Sequence, residues 1–337
     1  MKILVDAMGG DKAPFEIVKG ACLAASELGV LIDLVGRREV IEVCLEKLGG
    51  EGIRAEVGII DAPDVVEMED DPSTVTRRKK DASMNVALRL LSEGKGDAVV
   101  SAGSTGALLS GATLITKRVR GIRRAALAPV LPNGGKGTIL IDCGANAECT
   151  PEYLMQFAYM GSFYSQKILG CEKPRVGLLN IGAEESKGTQ LQLDTYKLLK
   201  DADNAGRLNF IGNVEAREAL MGGVDVLVAD GFSGNIALKS FEGAVSVLMG
   251  SIKGILKKKR NALAGMIVKK DFTRLKKSMD PKEVGGTALL GISKPVVKAH
   301  GNSDARAIKN AIRQAVTFTQ ADVISEIVAN IEHMKLG

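Results

Sequence analysis

The chain contains no tryptophan, and aromatic side chains make up only 4% of its 337 residues. Stacking platforms for nucleic acid need aromatic faces, so the composition argues against a nucleic-acid partner. Histidine occurs twice, and the five cysteines (Cys22, Cys44, Cys143, Cys149, Cys171) include no Cys-x-x-Cys pair. That inventory gives no zinc pattern and points to no metal; it suits reduced, mostly buried thiols of a cytosolic protein. No apolar run approaches the roughly 20 residues of a membrane span. The opening Met1-Lys-Ile-Leu-Val-Asp6 reads directly as a strand, so no signal peptide is expected. Also missing are Gly-x-Gly-x-x-Gly, Gly-x-x-x-x-Gly-Lys-Ser/Thr, Gly-x-Ser-x-Gly and His-Glu-x-x-His. Their absence removes the standard dinucleotide fingerprint, the P-loop, the hydrolase elbow and the zinc-protease helix.

What the chain does have is a repeated unit: an apolar run, a glycine-bearing turn, then helical spacing. Ile3-Leu-Val-Asp6 runs into Ala7-Met-Gly-Gly-Asp-Lys-Ala-Pro14 and a helix over 16–28. A strand at 31–35, a helix at 38–48 and a strand at 53–60 follow. Residues 61–80 read as a long polar loop or short exposed helix, of the kind that often forms a lid. A helix at 83–92 and a strand at 97–101 lead into Ala102-Gly-Ser-Thr-Gly-Ala107 and a helix over 108–116. Strands at 125–130 and 138–142 meet Cys143-Gly-Ala-Asn146, and a periodic helix covers 153–169. A strand at 175–180 meets Ile181-Gly-Ala-Glu-Glu-Ser-Lys-Gly-Thr189 and a helix to Leu199; the run at 224–230 meets Gly231-Phe-Ser-Gly-Asn235 and a helix from about Ile236. Lys298-Ala-His-Gly-Asn-Ser-Asp304 makes a sixth turn before a last helical region over 305–333. Apolar strands alternating with helices predict a parallel sheet, and ligands bind such sheets at the carboxyl edge. The expectation is one α/β domain over residues 1–337, with a helical excursion at about 241–281.

That excursion is chemically distinct. Residues 253–277 carry ten Lys or Arg against one Asp, or +9, so with a net charge of +5 the rest of the chain stands at −4. Leu256, Leu263, Ile267 and Leu275 recur on one helical face. Such a face suits a bundle seam between subunits near its base. At its tip Lys257, Lys258, Lys259, Leu263, Met266, Ile267, Val268 and Lys269 suit an anionic membrane surface or an acidic carrier protein.

Six glycine turns on one sheet edge would make a pocket rich in N–H donors, and the helix entered at Gly231 would offer unpaired amides to an anion. Among the turns stand Lys187, Asn235, Lys298 and His300, with hydroxyls at Ser104, Thr105, Ser233 and Ser303. These bind an anion and stabilise an oxyanion, but include no obvious strong base. A nucleophile that is already ionised fits them. Phosphate is one, with a second ionisation near neutral pH, and a thioester releases a thiolate that needs little acid help. Blander readings run alongside. Lys187 can be a solvated lysine, Asn235 a helix cap, and His300 a loop stabiliser. Asp6 and Asp142 can simply hold glycine loops in shape, and Cys143 can be a buried structural thiol.

The turns, quoted as Asp6-Ala-Met-Gly-Gly-Asp11, Val100-Ser-Ala-Gly-Ser-Thr-Gly-Ala107, Ile141-Asp-Cys-Gly-Ala-Asn146, Asn180-Ile-Gly-Ala-Glu-Glu-Ser-Lys-Gly188, Asp230-Gly-Phe-Ser-Gly-Asn235 and Ala299-His-Gly-Asn-Ser-Asp304, together resemble the PlsX family of bacterial phosphate acyltransferases. The six motifs occur in the family's order, from the first strand to the last helix. The resemblance implies a homodimer of Rossmann-like, isopropylmalate-dehydrogenase-like α/β fold with a protruding helical arm, and no metal or nucleotide cofactor. It implies transfer of a long-chain acyl group from acyl-acyl carrier protein to inorganic phosphate, with the acyl-phosphate feeding a membrane glycerol-3-phosphate acyltransferase in phospholipid synthesis. It also implies a cytoplasmic protein held peripherally at the membrane's inner face. By resemblance Lys187 carries phosphate or oxyanion charge and Asn235 hydrogen-bonds; His300 is a third catalytic candidate. Gly9, Gly10, Asp11, Gly103, Ser104, Thr105, Gly106, Asn146, Ser233, Gly234, Lys298 and Ser303 are candidates for substrate or phosphate binding. Ser104 stands where the family often has Asn. The rival expectations are a short-chain phosphate acyltransferase using acyl-coenzyme A, a dehydrogenase on a related fold, and a non-catalytic peripheral membrane scaffold.

Overall fold

A computed structural model describes residues 1–50, 52, 56–256, 258, 261–278 and 285–336. In chain order the first half runs β1 (Lys2–Asp6), α1 (Phe15–Leu28), β2 (Leu31–Gly36), α2 (Arg38–Gly50), β3 (Gly58–Asp61), α3 (Val75–Arg78), α4 (Ser83–Ser92), β4 (Ala98–Ser101) and α5 (Thr105–Gly111), which continues as one π-helical segment, Ala112–Thr116. Next come β5 (Ala126–Ala128), β6 (Val130–Leu131), β7 (Thr138–Ile141), α6 (Pro151–Leu169), β8 (Val176–Leu179), α7 (Gln190–Asn204), β9 (Phe210–Val214) and α8 (Ala216–Leu220). The last part is β10 (Val226–Val228), α9 (Gly231–Leu256), α10 (Ala262–Ser278), β11 (Gly286–Leu290), β12 (Val296–Ala299), α11 (Ala305–Gln320) and α12 (Val323–Ala329).

The strands form two sheets, in the orders β3-β2-β1-β4-β12-β11-β5 and β6-β7-β10-β8-β9. The α/β class matches the expectation, but the strands divide between two sheets. Pro129 marks the division. The expected strand at 125–130 is two strands, because a proline has no N–H to give a ladder: β5 joins the first sheet and β6 the second. Most pairings are parallel; β11 runs antiparallel to both β12 and β5, and β6 antiparallel to β7. The β11–β12 hairpin was not foreseen. Ile3, Leu4, Val99, Val100, Leu140 and Val226 are sealed from solvent on both faces, which is why their runs lack polar alternation. Both large apolar clusters of the core draw residues from both sheets.

Three local readings change. The third strand begins at Gly58, and residues 53–55 lie outside the described residues. Helix α5 begins at Thr105, because the Ser104 hydroxyl accepts from the Ala107 N–H and caps it earlier than the apolar spacing suggests. Helix α9 begins at Gly231, not near Ile236, so Asn235 is a second-turn residue and not a cap. The excursion is the outer part of α9 followed by α10. Lys257, Lys259, the Leu263 side chain and the excursion's end at 279–281 lie outside the described residues.

Helix α1 lies against α11 at Gly20, where an added Cβ would stand 2.6 Å from both the Ala305 carbonyl oxygen and the Ile308 Cβ. Alanine ordinarily favours a helix interior over glycine by about 1 kcal/mol. Here the overlap with backbone reverses the sign, and overpacking of this kind costs about 1–3 kcal/mol. Gly20→Ala is expected to lower the urea midpoint; an unchanged or raised midpoint would show that the helices separate freely.

Candidate active site

Strand register brings the first residues together. Val5 lies opposite Val100, Lys298 opposite Ser101, and Thr287 opposite Lys298, so Asp6, Ser101, Lys298 and Thr287 form a row across one end of the first sheet. Asp6 is buried, and its carboxylate accepts hydrogen bonds from the Ser83 and Ser101 hydroxyls, both at 2.6 Å, and from the Met8 N–H at 3.3 Å. Burial pushes its pKa up, while these donors favour the charged form and oppose the shift. Gly9 packs against this carboxylate: an added Cβ would stand 2.5 Å from Asp6 Oδ2 and 2.8 Å from the Gly103 nitrogen. Only glycine lets the first two turns lie back to back. The Asp11 N–H donates to the Gly301 carbonyl at 2.8 Å and ties the first turn to the last.

Asp142 plays the same part on the second sheet. Its carboxylate accepts N–H groups from Leu127 (2.9 Å), Cys143 (2.7 Å), Ala145 (3.1 Å) and Asn146 (2.7 Å), and from the Asn146 side chain at 3.0 Å. Leu127 belongs to β5, so this carboxylate also joins the two sheets. Gly234 is pressed against the Asp142 carbonyl, which seats the first turn of α9 on the 142–146 turn.

Between these pinned turns lies a polar cavity of about 300 Å³. Thr105, Gly144, Asn235, Lys239, Lys298 and His300 border it. Lys298 is 8% exposed, and its Nζ donates to the Ala102 carbonyl at 3.4 Å and to the Ala299 carbonyl. Burial lowers its pKa to about 8; Asp6 and Asp11 hold it up, and Lys239 presses it down. Lys239 pairs with Glu242 at 2.8 Å. Two lysines lining one partly enclosed space give it a positive charge that suits a multivalent anion. The expected anion site on bare amides of the α9 start is not what forms. The Gly231 N–H donates to the Asn146 carbonyl and the Ser233 N–H to the Asp230 carboxylate, both at 2.8 Å, so the protein itself occupies them. Anion charge falls to side chains instead.

The other face of the same two helical turns borders an apolar groove of about 800 Å³. Leu179, Leu220, Leu227, Ile236 and Phe241 line it, with Gly188 and Thr189 at its edge. One helix thus separates the polar cavity, at Asn235 and Lys239, from the groove, at Ser233 and Ile236.

The structure brings Asn235, His300, Lys298 and Thr105 to the cavity, with Gly10, Asp11 and Gly103 behind it. Ser104 is buried as a cap, and Gly106 packs against Pro72. Asn146 braces Asp142 and Ala125, and Ser233 faces the groove. Ser303 is buried, and its Oγ has no hydrogen-bond partner among the described residues. Lys187 is exposed in the turn that edges the groove, and it does not line the polar cavity. Burial pushes the Cys143 thiol far up, so it stays protonated and is a poor nucleophile. Lys258, Met266, Ile267, Val268 and Lys269 are exposed on the arm and border neither space. Sequence reading passed over Lys239 and the groove. Lys239 is legible as Asn235-x-x-x-Lys239, one turn on, once the helix is known to start at Gly231.

The family model described as "Fatty acid synthesis protein" matches residues 1–326. A phosphate acyltransferase of Clostridium kluyveri is 47% identical over 333 residues, covering 98% of each chain, and one of Lysinibacillus sphaericus is 44% identical over 339 residues, covering all of both. The chain belongs to the PlsX family of phosphate acyltransferases. It is an enzyme, a transferase of acyl groups whose family works with an acyl donor and phosphate in fatty acid and phospholipid synthesis. Among solved structures, a phosphotransacetylase from Streptococcus pyogenes shares the fold, with a TM-score of 0.63 at 20% identity, covering 95% of this chain and 94% of that one.

For a PlsX-family cavity built this way, phosphate affinity is expected to fall as pH rises through about 8, where Lys298 loses its proton. Lys298→Met should raise the KM for phosphate roughly ten-fold or more and abolish that pH step. The substitution also removes a charge that compensates buried Asp6, so the urea midpoint is expected to fall, and the kinetics are compared where both proteins remain folded. Wild-type phosphate kinetics that stay flat from pH 7 to pH 9 would remove Lys298 from the site.

Proposed function

We propose that this phosphate acyltransferase moves a long-chain acyl group from acyl-acyl carrier protein to inorganic phosphate, giving acyl-phosphate for phospholipid synthesis. The observation that carries the proposal is one helix with a cationic cavity on one face and an apolar groove of about 800 Å³ on the other. An acyl donor needs both: apolar lining for a chain and fixed positive charge for the anion that attacks it. Phosphate sits against Lys298 and Lys239, and the acyl chain lies along Leu179, Leu220 and Phe241.

A phosphate oxygen attacks the thioester carbonyl carbon. The C–O bond forms and the carbonyl oxygen becomes an oxyanion, held by Asn235 and the nearby lysine charge. Collapse breaks the C–S bond, and the thiolate leaves with the electron pair. The proton of hydrogen phosphate ends on that sulfur, so acyl-phosphate and a free thiol result. Positioning and charge carry the step, since the nucleophile arrives ionised. The protonated Cys143 thiol favours direct transfer over an acyl-enzyme.

The arm supports the remaining roles. Val247, Leu248, Ile255 and Ile267 are exposed apolar residues on α9 and α10, with Lys258 and Lys269 nearby in the chain. In the proposal this face pairs with a second copy near its base and meets an anionic membrane at its tip, beside the acyltransferase that consumes the product.

The test is phosphate-dependent release of free carrier protein from palmitoyl-acyl carrier protein. Leu220→Trp, which fills the groove, is expected to raise the KM for the palmitoyl donor about ten-fold and to spare an acetyl donor. Lys187→Ala separates a groove-edge role from a phosphate role: only the latter raises the phosphate KM. Turnover confined to short-chain coenzyme A thioesters would sink the proposal, as would no turnover at all.

A further inference from the structure

A second basic surface lies away from the arm. Residues 117–124, Lys-Arg-Val-Arg-Gly-Ile-Arg-Arg, carry five cations and no acid. The chain reaches them abruptly. After the π-helical segment Ala112–Thr116, Lys117 takes the left-handed region at φ 72°, which a side chain adopts only when its surroundings impose it. Two hydrogen bonds hold it there: the Lys117 N–H to the Ala112 carbonyl at 2.8 Å, and the Ser293 N–H to the Lys117 carbonyl at 2.9 Å. The strip is therefore fixed to the body of the protein.

It also frames an opening. A cavity of about 350 Å³ is lined by Arg118, Arg124, Pro72, Ser73 and Leu114. Gly106 and Asn146 also line it. These belong to two of the turns that bound the polar cavity, through their neighbours Thr105 and Gly144. Leu114 is 52% exposed among the cations. Glu152 pairs with Arg123 at 3.0 Å, and Asp71, beside Pro72 in the chain, accepts from the Ser73 N–H and hydroxyl. Lys117, Arg118, Arg120 and Arg124 make no ion pair among the described residues. Arg124 lies over the Tyr153 ring at 5.6 Å, and the Arg118 guanidinium donates to the Arg123 carbonyl.

We infer that the 117–124 strip is the docking surface for the acidic protein that presents the acyl thioester, with the cavity beside it admitting the thioester arm. This rests on the proposed acyl-carrier donor and goes beyond it by giving the carrier a place distinct from the arm. Unpaired fixed cations around one apolar side chain match an acidic protein surface that also offers an apolar spot. A lipid surface would not use a cavity lined by two of the turns that bound the polar cavity. The division leaves the arm for the membrane, so carrier protein and membrane engage at once.

The test uses Lys117→Glu with Arg120→Glu, two exposed strip residues that do not line the cavity, in the protein as it stands. Direct titration with acyl carrier protein is expected to show affinity reduced at least about ten-fold and a weaker salt dependence. The KM for palmitoyl-acyl carrier protein should rise in parallel. Turnover of S-palmitoyl pantetheine, the KM for phosphate and sedimentation with anionic vesicles should be unchanged, and Arg120→Lys should behave as wild type. Carrier-protein affinity equal in wild type and variant overturns the inference. So does an equal loss with both donors, or a loss of vesicle binding alone. Wild-type protein that transfers no acyl group from either donor refutes the proposed function instead, and the titration still decides the docking surface.

Discussion

Everything at the cavity depends on two buried carboxylates. Asp6 and Asp142 each end a strand and each gather donors from more than one segment: hydroxyls from α4 and β4 for Asp6, and backbone amides from β5 and the 142–146 turn for Asp142. A glycine turn has little to hold it in one conformation, because glycine loses more freedom on ordering than any other residue. A buried acceptor that several N–H or O–H groups must satisfy supplies the missing constraint, since each of those donors would be costly to bury unpaired. The carboxylates therefore convert flexible turns into a rigid frame.

That frame lets charge and apolar surface stand a helix width apart. The start of α9 is fixed by Gly234 against the Asp142 carbonyl, and its residues then fall alternately on the cavity and the groove by helical periodicity alone. Asn235 and Lys239 are one turn apart and share the polar side. Ser233 and Ile236 take the other. The Gly231 and Ser233 amides of the helix start are spent on Asn146 and Asp230, which leaves the cavity's positive charge to its lysines. Lys298 is held where its charge is costly, and Asp6 and Asp11 sustain it.

The basic charge is also divided. The arm carries a dense basic run over 253–277, interleaved with apolar residues and exposed at Lys258, Lys269 and Lys270, while the 117–124 strip is braced by backbone hydrogen bonds beside a cavity. One is a projecting amphipathic surface and the other a fixed rim. Their different settings suit different acidic partners, even though composition alone would group them together.

By itself the sequence determined the fold class and the order of turns, because buried parallel strands must be apolar throughout and tight turns after them need glycine. It also marked Lys298, His300 and Asn235, since each lies within a few residues of such a turn. Only the tertiary structure decided which turns meet. Five border or back the polar cavity, while the Lys187 turn edges the groove, because β8 lies beyond β10 in the second sheet. Strand order depends on pairings far apart in the chain, which local patterns do not encode. The same holds for the early start of α9 and for the groove, whose leucines look like any core residues until the space between them is seen.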